Sequence, residues 1–171
     1  MMEAPRRYDT KYGSVTLRRE RAGDEAFLHA LFASHAGRPL RQAGLPEDAI
    51  EKLVAFQHRS ADATHRTTFP NAVYSIIECD GEPIGRLIEE DEGDAVYFVD
   101  FALLPACQAK GLGTAFIEMV ADEWGKQSKA ARVEVLFNND HSLKLCHKLG
   151  FVAEGGAESG YVILRRAPKL S

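Results

Sequence analysis

The chain has 171 residues, 45% of them apolar and 27% charged, with a net charge of −4. This is ordinary globular composition for one domain with a proper core. The acidic balance argues against a nucleic-acid binder, which shows a basic face, and no apolar run reaches the length of a membrane span.

Residues 1–13 are polar and aperiodic. They are expected to form a flexible lead-in to a single domain over residues 14–171. They hold no apolar leader core, so the expected location is the cytoplasm. Val15 and Leu17 mark a first strand. Asp24 then caps a helix with Phe27, Leu28, Leu31 and Phe32 on one face. Pro46 starts a second helix with Ile50, Leu53 and Val54 as its stripe. The polar stretch 57–71 reads as a loop or frayed helix ended by Pro70. Two β-rich runs flank Asp80-Gly81, a hairpin signal. The acidic turn Asp91 to Asp94 leads into AVYFVDFALL, which reads as a central strand buried on both faces. Phe116, Ile117, Val120 and Trp124 share one face of the next helix. A further strand (ARVEVLF), a short helix stopped by Gly150, and two strands joined by Ser159-Gly160 complete the chain. The order βααβββαβαββ is mixed α/β. It disfavours a doubly wound nucleotide fold, which alternates β and α throughout.

The segment FALLPACQAKGLGTAF, from Phe101 to Phe116, runs from strand through a glycine-bearing loop into a helix. N–H groups at a helix start lack internal partners, and the helix dipole adds positive charge there. Gly111 and Gly113 have no Cβ, so an anion can approach the backbone. Lys110 adds a charge and Thr114 a hydroxyl. Together these are the parts of a pyrophosphate cradle. A Walker A loop is excluded because Gly111-Leu112-Gly113-Thr114 has no lysine in the required place. A dinucleotide fingerprint would want a small residue at Phe116 and a place after the first strand.

This pattern resembles the Gcn5-related N-acetyltransferase (GNAT) superfamily. The family's phosphate loop, Q/R-x-x-G-x-G/A, is matched by Gln108, Gly111 and Gly113 after Leu103-Leu104-Pro105. Its second motif is matched by Asn139, Ser142, Leu145, Cys146, Gly150 and Phe151, at the right distance. The resemblance implies a central mixed sheet of about seven strands flanked by about four helices. It also implies acetyl-CoA as cosubstrate. The pyrophosphate would lie on the N–H groups of Ala109, Lys110, Gly111, Leu112, Gly113 and Thr114. The pantetheine arm would lie along the strand edge at Leu103 and Leu104, where an N–H holds the oxyanion. Asn139 and Ser142 would contact the arm or support the gap.

The acceptor implied is a primary amine, on a small molecule or a protein, that attacks the thioester directly. Asp100 is the candidate general base, with a buried structural acid as the plain alternative. Cys146 replaces the family's usual proton-donating tyrosine. It stands as a candidate weak acid or as a small core residue. Water can also protonate a leaving thiol with a pKa of about 8.5. A catalytically weak acyl-CoA sensor is the alternative function. Three separated cysteines and the absence of HExxH spacing point to no metal. No nucleic-acid or membrane partner is expected, and a homodimer is plausible because related proteins often pair. The acceptor pocket would involve residues 33–71 and 154–161. There His58, Arg59, His65 and Arg66 face solvent or a substrate carboxylate.

Overall fold

A computed structural model describes residues 4–169. Eight strands form one sheet: β1 (Arg6–Thr10), β2 (Gly13–Arg19), β3 (Val73–Cys79), β4 (Glu82–Asp91), β5 (Ala95–Leu103), β6 (Ala130–Leu136), β7 (Val152–Gly155) and β8 (Tyr161–Arg166). Helices α1 (Glu25–Gln42) and α2 (Glu47–Thr68) follow β2. Helix α3 (Leu112–Gly125) follows β5, and α4 (Asp140–Lys148) follows β6. The strand order is β1-β2-β3-β4-β5-β6-β8-β7. Neighbours are antiparallel except β5 and β6. The mixed α/β class is as expected, with one strand more than the seven read from the sequence.

The extra strand corrects the flexible lead-in expected over residues 1–13. Residues 6–10 pair with β2 from Arg6↔Leu17 to Thr10↔Gly13. One apolar side chain, Tyr8, carries the contact with the core, so no periodicity was there to see. Tyr8 is buried, meets Phe116 edge-on with ring centres 5.5 Å apart, and bonds Glu123 through its hydroxyl. Residues 1–3 lie outside the described part.

Helix α2 is also longer than expected, because residues 57–68 continue it without a break. Alanines 55, 61 and 63 favour helix, and Asp62 pairs with Arg66 one turn on. The helix ends at Phe69, before Pro70. Asp24 does not cap α1 through its side chain. Its carboxylate accepts from the N–H of Arg21 and from both Nη atoms of Arg18, closing the preceding turn.

The site is opened by an irregularity in β5. Ile88 pairs with Asp100 but Glu89 pairs with Phe98, which leaves Val99 extra on β5. Such a bulge bends a strand and increases its twist. β5 then pairs with β6 only from Ala95↔Ala130 to Tyr97↔Arg132. Beyond that point the two parallel strands diverge. Ala95 to Phe98 are buried, but Val99 to Ala102 are only partly so. Burial on both faces therefore holds for the first half of the strand alone.

Candidate active site

The gap between β5 and β6 opens into a cavity of about 810 Å³. Its walls come from α1, α2, Arg86 of β4, the second half of β5, the 108–114 loop and the start of α4. That volume falls within the usual range for small-molecule sites.

Leu103 presents the strand edge. It stands opposite Gly85, while the next residue, Leu104, donates its N–H to Ile84 O at 2.8 Å. Leu103 therefore occupies a non-hydrogen-bonded place in the ladder, and its own N–H and C=O turn away from β4 into the gap. Of the two residues expected to present backbone to a pantetheine arm, Leu103 faces the cavity and Leu104 spends its N–H on β4. The carbonyl of Leu103 accepts from Gln108 Nε2 at 2.8 Å and from His35 Nε2 at 2.9 Å. Because a carbonyl only accepts, His35 carries its proton on Nε2.

The loop has the backbone of an anion cradle. Ala109 and Gly111 take positive φ, 64° and 83°, and Gly111 is the N-cap of α3 without a side-chain bond. The consecutive N–H groups from Ala109 to Thr114 find no acceptor among the described residues. Left-handed turns of this kind gather N–H groups into a concave nest at the positive end of a helix. Gly111 needs its missing side chain twice over, since a Cβ there would lie 2.6 Å from the Tyr12 hydroxyl. Gly113 serves packing instead. Its Cβ would meet Leu103 Cδ1 at 3.1 Å, so the glycine lets α3 lie close to β5. Lys110 is exposed, the Leu112 side chain enters the core, and Thr114 lines the cavity.

The second motif divides its roles. Asn139 accepts from Ser142 N at 3.2 Å and caps α4, while Ser142, His141 and Leu145 line the cavity. Cys146 packs against the core outside that lining, and burial pushes its thiol above the usual range.

Asp100 lines the cavity and is half-buried. Its Oδ2 accepts from Arg86 Nη2 at 2.7 Å and from Nε at 3.1 Å. Arg86 itself is buried and reaches toward Asp62 at 3.8 Å. Asp62 pairs with Arg66, which pairs with Glu20. Sequence reasoning singled out neither of two cavity residues, His35, which lies within the expected acceptor segment 33–71, and Arg86, which lies outside it. His35 sits four residues beyond Leu31 on the expected α1 face. Arg86 is the one basic residue of β4 and Asp100 the one charged residue of the neighbouring β5, a pattern that asks for an ion pair.

The acetyltransferase (GNAT) family model matches residues 42–151. The chain belongs to this family. No curated protein sequence matches it significantly. Solved structures show the GNAT fold across nearly its whole length. PaiA N-acetyltransferase from Thermoplasma acidophilum, in complex with coenzyme A, aligns with a TM-score of 0.64 at 14% identity, over 90% of this chain and 98% of that one. The ribosomal-protein-S18-alanine N-acetyltransferase from Escherichia coli gives 0.63 at 17%, over 92% and 96%. RimJ from Mycobacterium smegmatis, in complex with CoA-disulfide, gives 0.66 at 16%, over 95% and 86%. At such identities the likeness is one of fold. Among the described residues no helix is long and apolar enough to cross a membrane.

Proposed function

We propose that this GNAT chain moves the acetyl group of acetyl-CoA to a primary amine by direct attack. The observation that carries the reading is one cavity joining an open N–H cradle at Ala109–Thr114 to the free backbone edge of Leu103 and the Asp100 carboxylate. The cradle takes the pyrophosphate. The carbonyl and N–H of Leu103 take the end of the arm, with Gln108 and His35 giving up their bonds to that carbonyl. The Leu103 N–H then faces the thioester oxygen and holds the negative charge that develops there.

Asp100 offers Oδ1 to the incoming ammonium, since Arg86 occupies Oδ2. One ammonium proton passes to that carboxylate or to water, which frees the nitrogen lone pair. A C–N bond forms at the thioester carbon and the C–S bond breaks. The sulfur leaves with its electron pair and is protonated by water, a small demand for a thiol with a pKa of about 8.5. The proton that remains in excess on nitrogen is lost to solvent. Cys146 is not required in this scheme.

Thr114→Asp tests the cradle without endangering the fold, because a carboxylate in the first turn of α3 favours the helix while repelling pyrophosphate. The expected result is an unchanged or slightly raised Tm and an acetyl-CoA Kd weaker by roughly two orders of magnitude. Equal affinity in both proteins would remove the loop assignment. An acyl-CoA sensor would bind in the same way, yet release no thiol with any amine.

A further inference from the structure

Resting on the acetyl-transfer reading, we infer that the acceptor is a monocationic primary amine carrying a compact apolar or aromatic body. Two features of the cavity wall lead there, one of charge and one of shape.

The charged side chains form a chain: Glu20, Arg66, Asp62, Arg86 and Asp100, joined by contacts of 2.6, 2.8, 3.8 and 2.7 Å. Three carboxylates face two guanidiniums, so the chain carries one surplus negative charge. Both ends of the chain are carboxylates, and at the cavity end Asp100 Oδ1 has no protein donor among the described residues. One ammonium at Asp100 Oδ1 neutralises the chain. A carboxylate on the acceptor has no comparable place, because Arg86 already stands between Asp62 and Asp100. A second ammonium finds none either, since Asp100 is the one carboxylate among the described lining residues.

The polar lining residues Gln108, Thr114, His141 and Ser142 lie on the cradle side, whereas the wall that faces Asp100 is mainly apolar, with His35 and His65 its other polar side chains. Leu28, Leu31 and Phe32 lie on the inner face of α1, Ala61 on α2 and Phe101 on β5. Phe32 is fixed by a ring contact with His58, centres 5.2 Å apart. This surface gives peptide amides few partners and gives an alkyl or aryl group a dry seat. An acceptor of this class therefore pairs its nitrogen with Asp100 and lays its body against Phe32 and Phe101.

The test compares kcat/KM for 2-phenylethylamine, ethylamine, spermidine, phenylalanine and a short alanine-led peptide, with thiol release from acetyl-CoA as the signal. 2-Phenylethylamine should exceed ethylamine by on the order of a hundredfold, and each of the others by at least about tenfold. Phe32→Ser should lower the phenylethylamine-to-ethylamine ratio about tenfold while the protein is still stabilised by acetyl-CoA. Asp100→Asn should cut kcat/KM for 2-phenylethylamine about a hundredfold. Loss of acetyl-CoA stabilisation would mark that variant as misfolded and leave the Phe32 ratio to decide. A preference for spermidine, phenylalanine, ethylamine or the peptide overturns the inference, as does an unchanged ratio in Phe32→Ser. If no amine is turned over, calorimetry on the CoA complex decides: tighter binding of 2-phenylethylamine than of ethylamine supports it, and equal or weaker binding overturns it. Failure of the wild-type protein to bind acetyl-CoA is a different result, which sinks the acetyl-transfer reading itself.

Discussion

At Gly111 backbone geometry and neighbour contact act together. Its φ of 83° lies in the left-handed region, and the Tyr12 hydroxyl occupies the space a side chain would need. Gly111→Ala is expected to lose about 1–2 kcal/mol for the left-handed backbone, with the Tyr12 clash added. Pairing it with Tyr12→Phe removes the clash and leaves the backbone cost. Urea unfolding of the two variants separates these contributions. Asp24 gives a prediction in pH. Hydrogen bonds from Arg18 hold its carboxyl below the usual carboxylate range, with burial opposing them. A depressed folded value means the unfolded chain takes up the proton first as pH falls. The stabilisation from Asp24 is thus full above its unfolded value of about 4 and is lost as pH falls through the folded one. Asp24→Asn should flatten the dependence of unfolding free energy on pH below about 4, read from denaturant midpoints between pH 2.5 and 7.

On the scale of elements, α2 shows how a polar sequence can still be helical. Beyond Gln57 it has no long apolar stripe, yet no proline or glycine interrupts it before Phe69. The Asp62–Arg66 pair and the cation–π contact of Arg66 over Tyr74, 4.4 Å from the ring centre, dock its last turns on β3. Ala63→Gly, at an exposed position, should therefore cost about 1 kcal/mol in urea unfolding, whereas a loop at this place would show almost no change. Helix α3 has the opposite character. It buries Phe116, Ile117, Val120 and Ala121, so its register was plain from spacing alone.

The whole molecule depends on β1 more than its composition suggests. Arg6 bonds the buried Glu89, whose other oxygen accepts from Trp124 Nε1 at 2.7 Å. The Tyr8 hydroxyl bonds Glu123, which also pairs with Arg6. One short strand thus ties β4 to α3 on the flank of the sheet, next to the helix whose start forms the cradle. Deleting residues 1–10 should destabilise the fold by about 3–5 kcal/mol, because Glu89 is left buried without its cation. Removal of a flexible lead-in would cost nearly nothing. Chemical denaturation of the truncated chain distinguishes the two.

The sequence by itself determined the fold class, most of the element order, and the loop from Gln108 to Thr114. Those signals are local. Apolar spacing, paired glycines and a proline at a strand end each act within a few residues, where backbone sterics and hydrogen-bonding geometry dominate. The tertiary structure alone decided what meets what. It put Leu103 rather than Leu104 at the gap, gave Gly113 to packing, seated Cys146 against the core, and set His35 and Arg86 in the cavity wall. It also made a strand of residues 6–10 through one buried tyrosine and the two ion pairs of Arg6. Each of these depends on groups far apart in the chain, and burial, register and charge pairing exist only once the sheet has closed around them.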